Sequence, residues 1–143
     1  MIDLSKFDKA TFTNTPFVKK VEKPWGYEII FTPPTLPYTG KILHINAGKR
    51  ISLQVHDRKQ ETQYLLHGDC DLIIDNMEGE LSTVHMEKGK GYTIMVGQRH
   101  RLHAQTDCDV IEASLPEQGT TFRLEDDYSR PDETEELRKK DRE

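Results

Sequence analysis

The sequence predicts an all-β, single-domain fold, either a sandwich or a closed barrel. Three observations predict it. Short apolar runs rich in Ile, Leu, Val, Tyr and Thr recur along the chain, each too short for an ordinary globular helix. Turn signals built on Gly, Pro, Asn and Asp separate these runs at near-regular intervals, as in sandwiches and barrels. No segment before the C-terminal tail sustains a helical period. At 143 residues the chain fits one domain and can bury a core without disulfide staples.

Residues 1–20 read as a polar arm. Phe7, Phe12 and Phe17 recur there at a spacing that fits neither a helix face nor a strand face, so the arm is expected to lie over the domain or a partner subunit, pinned by its aromatics. Strands follow. Tyr27–Phe31 is closed by Pro33-Pro34, and Lys41–Ile45 ends at Ala47-Gly48. Ile51–His56, Thr62–Leu66 and Asp71–Ile74 come next, and Asp75-Asn76-Met77-Glu78-Gly79 reads as a hairpin turn. Leu81–Met86, Tyr92–Val96, His100–Ala104, Val110–Leu115 and Thr121–Leu124 complete the set. The domain thus spans 21–130. The tail, 131–143, holds good helix formers in acid-to-base order but almost no apolar face, which predicts a frayed, solvated end.

Charge and composition exclude several classes. A net charge of −5 is no electrostatic match for nucleic acid or an anionic membrane surface, so neither partner is expected. A local basic pocket for a small anion remains open. Cys70 and Cys108 form no CxxC pair and read as free thiols in a reducing compartment. Met1–Ala10 lacks an apolar signal region, and no stretch approaches the roughly 20 apolar residues of a membrane helix. Cytoplasm is the expected location.

Four residues carry the chemistry: Gln54, His56, Glu61 and His100. Gln54 and His56 are two apart in a strand-like run and therefore share a face. Two imidazoles, a carboxylate and an amide oxygen are a credible ligand set for one divalent ion: zinc, manganese, iron, nickel or cobalt. Polar residues alternating on a solvated strand would give the same spacing without a metal. Glycine punctuation at Gly48, Gly68, Gly89 and Gly97 favours a built site.

With that punctuation the chain resembles the cupin family. Gly48, Gln54, His56, Glu61 and Gly68 keep every spacing of the first cupin motif, with Gln54 in the first His place. Gly89, Gly97 and His100 keep the second, from which Met95 and Ala104 depart. The stretches Lys23-Pro24-Trp25-Gly26-Tyr27-Glu28, Ser52–His56 and Glu125–Arg130 are similar to the cupin domain of type II mannose-6-phosphate isomerases. Thr62-Gln63, where that family usually has His-Trp, and Lys59-Gln60-Glu61, in place of its Arg-x-Glu, depart from it. The resemblance implies a double-stranded β-helix, the jelly-roll barrel. It also implies metal-dependent interconversion of an aldose and a ketose phosphate, and a homodimer, as many cupins are.

Within that reading Glu112, a carboxylate among apolar residues, is the candidate acid/base. Arg58, Lys59, Arg123 and Arg130 are candidate contacts for a sugar phosphate, with surface ion pairing as the plainer account of the last two. His44, His67, His85 and His103 are read as ordinary strand or surface residues, and Arg101 should point away from His100. Two other readings use the same residues. His56, Glu61 and His100 alone make the two-His, one-carboxylate set of a non-haem iron oxygenase. A non-catalytic binder of a sugar or nucleotide-sugar needs only the pocket.

Overall fold

The computed structural model describes residues 1–143. Eleven strands form two antiparallel sheets. The strands are β1 (Lys19–Lys23), β2 (Gly26–Ile30), β3 (Thr39–Ile45), β4 (Leu53–His56), β5 (Glu61–His67), β6 (Cys70–Asp75), β7 (Leu81–His85), β8 (Gly91–Ile94), β9 (His100–Ala104), β10 (Cys108–Ser114) and β11 (Thr121–Glu125). One sheet has the order β1-β2-β3-β10-β5-β8, the other β11-β4-β9-β6-β7.

Neither sheet closes on itself, which corrects the expected barrel. β1 and β8 are free edges of the first sheet, and β11 and β7 of the second. Strands such as β2 alternate buried and half-buried residues, so each has one face to hide. Facing a second sheet hides it as well as curling into a cylinder does.

The inner faces divide into two ends. At one end Leu43, Ile45, Leu65, Leu72, Leu102, Ala104 and Val110 form the dry core with Cys70 and Cys108. These side chains exclude water almost completely, and both cysteines are free thiols. At the other end the inward positions are polar: Lys41, Glu112 and Gln63 lie opposite one another across β3, β10 and β5. His100, Gln54 and Arg123 make the matching row across β9, β4 and β11. The glycines that punctuate the sequence mark the turns between strands. Gly48, Gly68, Gly89 and Gly97 all have φ between 78° and 92°, a region that side chains other than glycine rarely adopt. At Gly68 a Cβ would lie 2.2 Å from the Asp107 carbonyl oxygen, so no larger residue fits.

The two termini behave differently from each other. Residues 1–18 are exposed and hold only two short 3₁₀ turns, capped by Asp3 and Asp8. Phe7, Phe12 and Phe17 are exposed too, so this chain's own domain does not bury them. The tail instead folds as helix α1 (Glu135–Asp141), N-capped by Thr134. Arg138 is buried there, 2.9 Å from Glu133 and bonded to the Gly119 and Glu117 carbonyls. Glu135 accepts from the Gly119 amide at 2.6 Å. The expected solvated end is therefore docked, and the contacts that dock it are polar. An apolar stripe was the wrong sign to look for.

Candidate metal centre

The two sheets meet at His56, Glu61 and His100. His56 closes β4 and His100 opens β9, strands paired in the second sheet. Glu61 opens β5 in the first sheet. All three are buried, and their ligand atoms lie within 4.8 Å of one another. Glu61 Oε1 is 2.9 Å from His100 Nε2 and 3.4 Å from His56 Nε2.

The hydrogen bonds behind the rings decide which nitrogen faces inward. His100 Nδ1 donates to the Gln98 carbonyl oxygen at 2.9 Å, which turns Nε2 toward the centre. His56 Nδ1 lies 3.0 Å from the Thr121 hydroxyl, opposite it in the β4–β11 register. Burial pushes the His56 imidazolium down to about 4, so the ring is neutral at physiological pH. Both Glu61 oxygens are buried without a hydrogen bond. Two imidazole nitrogens and a carboxylate oxygen thus converge on one point, an arrangement that a divalent cation satisfies. The residues fit one metal, and the donor set is the two-His, one-carboxylate type.

Gln54 stands beside this point. Its Nε2 is 3.4 Å and 3.5 Å from the two imidazole Nε2 atoms, while its Oε1 accepts from Ser52 Oγ at 2.6 Å. A half-turn of the amide brings the oxygen to the centre, and the Ser52 hydroxyl can serve either orientation because it both donates and accepts.

Behind Glu61 lies a buried ionic cluster. Lys59 Nζ is 3.2 Å from Glu61 Oε2 and 3.4 Å from Glu112 Oε2. Burial alone would lower the Lys59 ammonium; Glu112 and Glu61 outweigh it and hold the group above the ordinary lysine range. Glu61 is likewise pressed upward by burial, but Lys59 and the imidazoles keep it well below the carboxylate range. Glu112 accepts from Gln63 at 3.3 Å and lies 3.5 Å from Lys41. Burial, with the Glu61 charge adding to it, pushes its carboxyl up to about 7. Lys41 also pairs with Glu28 and Glu117, and Arg142, the C-cap of α1, reaches Glu117.

A cavity of about 50 Å³ opens beside Gln54 and His56. Trp25, Lys59, Glu112 and Arg123 are among its walls. It has room for a few waters or one small ligand. Of the residues singled out in the sequence, Glu112, Lys59, Arg123 and Arg130 line it. Arg58 is exposed and does not, and Lys59 is enclosed by carboxylates. His44 pairs with Asp109 at 2.7 Å and stacks on Tyr27, away from the centre. His85 is exposed between Asp69 and Asp71. Arg101 turns from the centre, as alternation requires, and donates to the Ile51 carbonyl.

Thr121, Lys41, Glu28 and Glu117 belong to the site and were not singled out. Lys41 carried a signal, since a charge at the head of an apolar strand needs a buried partner. Thr121 carried none, because only the register across β4 and β11 brings it to His56.

No protein-family model matches the sequence. No curated protein matches it either. Solved structures do. Bacillus subtilis oxalate decarboxylase superposes with a TM-score of 0.67 at 17% identity, over 80% of this chain and 33% of that chain. The formate complex of Lactobacillus farciminis oxalate decarboxylase gives 0.67 at 18% identity, over 80% of this chain and 37% of that one. A further structure of the Bacillus subtilis enzyme, one concerned with its Mn(II) centres, gives 0.65 at 17% identity, with coverage of 80% and 33%. The chain spans about a third of the length of these proteins. They are oxalate decarboxylases, not mannose-6-phosphate isomerases. At this identity the likeness shows the fold, and the fold is that of the cupins.

Proposed function

We propose that the protein is a metal-dependent cupin enzyme of the two-His, one-carboxylate type that acts on a small carboxylate. One observation carries the reading: His56, Glu61 and His100 converge on one point, and His56 with Gln54 lines a cavity of only about 50 Å³. A bound divalent ion supplies a Lewis acid there and, if it is manganese or iron, a redox centre. The protein's own groups do the rest. Thr121 and the Gln98 carbonyl bond the Nδ1 atoms and so turn both Nε2 atoms toward the centre. Lys59 holds one Glu61 oxygen and leaves the other toward the imidazoles. Glu112, in the cavity wall between Lys59 and Gln63, is the group placed to carry a proton.

The enzymes of similar fold support a small acid as substrate, because their names specify oxalate. Gln54 in the first ligand place supports the sugar-phosphate isomerase reading, but a hexose phosphate is far larger than this cavity. The deciding experiment uses full-length protein loaded with Mn(II) or Fe(II). Carbon-13 NMR follows a panel of small carboxylates, with dissolved oxygen recorded alongside. Proton NMR in deuterated water follows sugar phosphates without air. The expected result is consumption of a carboxylate and no change in the sugars. Deuterium entering a sugar phosphate, with every carboxylate intact, would restore the isomerase.

A further inference from the structure

We infer that the outer face of the first sheet is a docking surface, and that its occupant is the aromatic arm, residues 1–18, of a second copy of this chain. The inference stands apart from the metal centre and from the reaction proposed for it.

Register defines the face. Ile29, Ile42, Ile111 and Tyr64 lie opposite one another in turn across β2, β3, β10 and β5. Alternation turns all four outward, since their chain neighbours Glu28, Lys41, Glu112 and Gln63 are buried. The next row, two residues along, is Gly40, Ala113, Thr62 and Thr93. The Phe31 ring lies where a Gly40 side chain would stand. The Thr62 and Thr93 hydroxyls bond each other at 2.9 Å, which pairs off the polar groups of that row. No charge interrupts either row, although 31% of the chain is charged. The outer face of the second sheet is built differently. There Asp71 and Asp75 of β6 take His85 and Arg99, each at 2.8 Å. An apolar face left open beside an ionic one marks a contact surface.

The face also holds a seat. Ala113, Thr62 and Thr93 line a hollow of about 380 Å³, with the exposed side chains of Met95 and Leu115 beside them. Small residues bordered by a thioether and an aliphatic chain suit an aromatic ring.

The arm supplies the ring. Residues 10–18 carry no charge and include Phe12 and Phe17. Phe12 is 66% exposed, so its own domain does not seat it. An uncharged aromatic segment and an uncharged sheet face, each without a cover, complement each other. Reach agrees with this pairing. The arm leaves from β1, the edge of this same sheet. The chain from Phe12 to Lys19 extends to at most about 25 Å, and the sheet from β1 to β5 is about 19 Å wide. A two-fold axis lets two copies exchange arms, each covering the other's face.

The test is the size of the full-length protein in solution, by sedimentation velocity over a micromolar concentration series. The intact protein is expected to be a dimer. Phe12→Ser unseats the ring and Ala113→Arg puts a charge on the face, and each should weaken the dimer at least about tenfold. Phe122→Ser, at an exposed aromatic on β11 of the second sheet, should leave it unchanged. An equimolar mixture of the Phe12→Ser and Ala113→Arg proteins should regain dimers, because each mixed pair keeps one intact arm and one intact face. A monomeric parent overturns the inference. So does a dimer broken by only one of the two variants, since the face would then meet another face, or the arm another surface. A mixture that stays monomeric, or equal weakening by Phe122→Ser, overturns it as well. Should Ala113→Arg fail to fold, Thr93→Arg on the edge strand β8 takes its place with the same outcomes.

Discussion

At the scale of single residues, His56, His100 and Glu61 are unequal to Gln54. Each imidazole offers a ring nitrogen already oriented by a bond at its other end, whereas Gln54 offers an amide oxygen only after a half-turn. His56→Ala and His100→Ala should each lose most of the metal, and Gln54→Ala should lose distinctly less. Metal analysis after dialysis checks this; a full equivalent retained by both His variants would place the metal elsewhere. Glu112→Gln keeps the shape of the cavity wall and removes the proton carrier. Turnover should fall about a hundredfold with metal content unchanged, as steady-state kinetics beside metal analysis would record. The sequence made the ligand positions readable because strand periodicity and glycine spacing are local properties. Thr121 and Glu117 were not readable in the same way. Thr121 meets the site through a pairing between strands distant in sequence and Glu117 from the loop between β10 and β11, and no local pattern encodes either.

At the scale of elements, α1 shows what binary patterning misses. Its sequence has no apolar face, yet Arg138 is buried against Glu133, the carboxylate that also takes Lys23 and Arg123. Burial would raise the Glu133 carboxyl, but Lys23 and Arg138 outweigh it and hold it at about 2, below the ordinary 4.5. A depressed folded-state value gives stability that is fully present above the unfolded value. That stability is lost as pH falls from about 4.5 through about 2. Glu133→Gln should therefore cost up to about 3 kcal/mol at pH 7. The difference from the parent protein should vanish near pH 2. Urea denaturation of both proteins across that range measures it, and a gap that persists at low pH would show that Glu133 acts through packing alone.

At the scale of the molecule, the closed barrel was the expectation that failed. Alternation along a strand says that one face is buried; it is silent on whether the first and last strands of a sheet meet. The two-sheet form gives the metal ligands an added role, because Glu61 comes from one sheet and His56 and His100 from the other. A bound ion would tie the layers together in a chain whose thiols are both free. Saturating Mn(II) should raise the melting temperature by about 5–10 °C, and a chelator should reverse the shift in calorimetry. The expected homodimer belongs to this scale too. Phe7, Phe12 and Phe17 find no cover on their own chain, which favours a second copy as the cover. Deleting residues 1–18 should move a dimer toward monomer in light scattering, whereas an intact protein that is monomeric at micromolar concentration would reject the idea.

The division of the interior into a dry end and a charged end has a consequence for anyone wishing to harden this protein. Replacing the buried ion cluster as a whole with well-packed apolar residues should leave it as stable or more so, since such clusters seldom outperform hydrocarbon of equal volume, whereas removing Lys41 alone would strand Glu117. The gain would come from the half of the sandwich where the proposed chemistry resides. Heat tolerance and catalytic competence would then trade against each other across one boundary, while the dry half stays available for improvement with activity untouched.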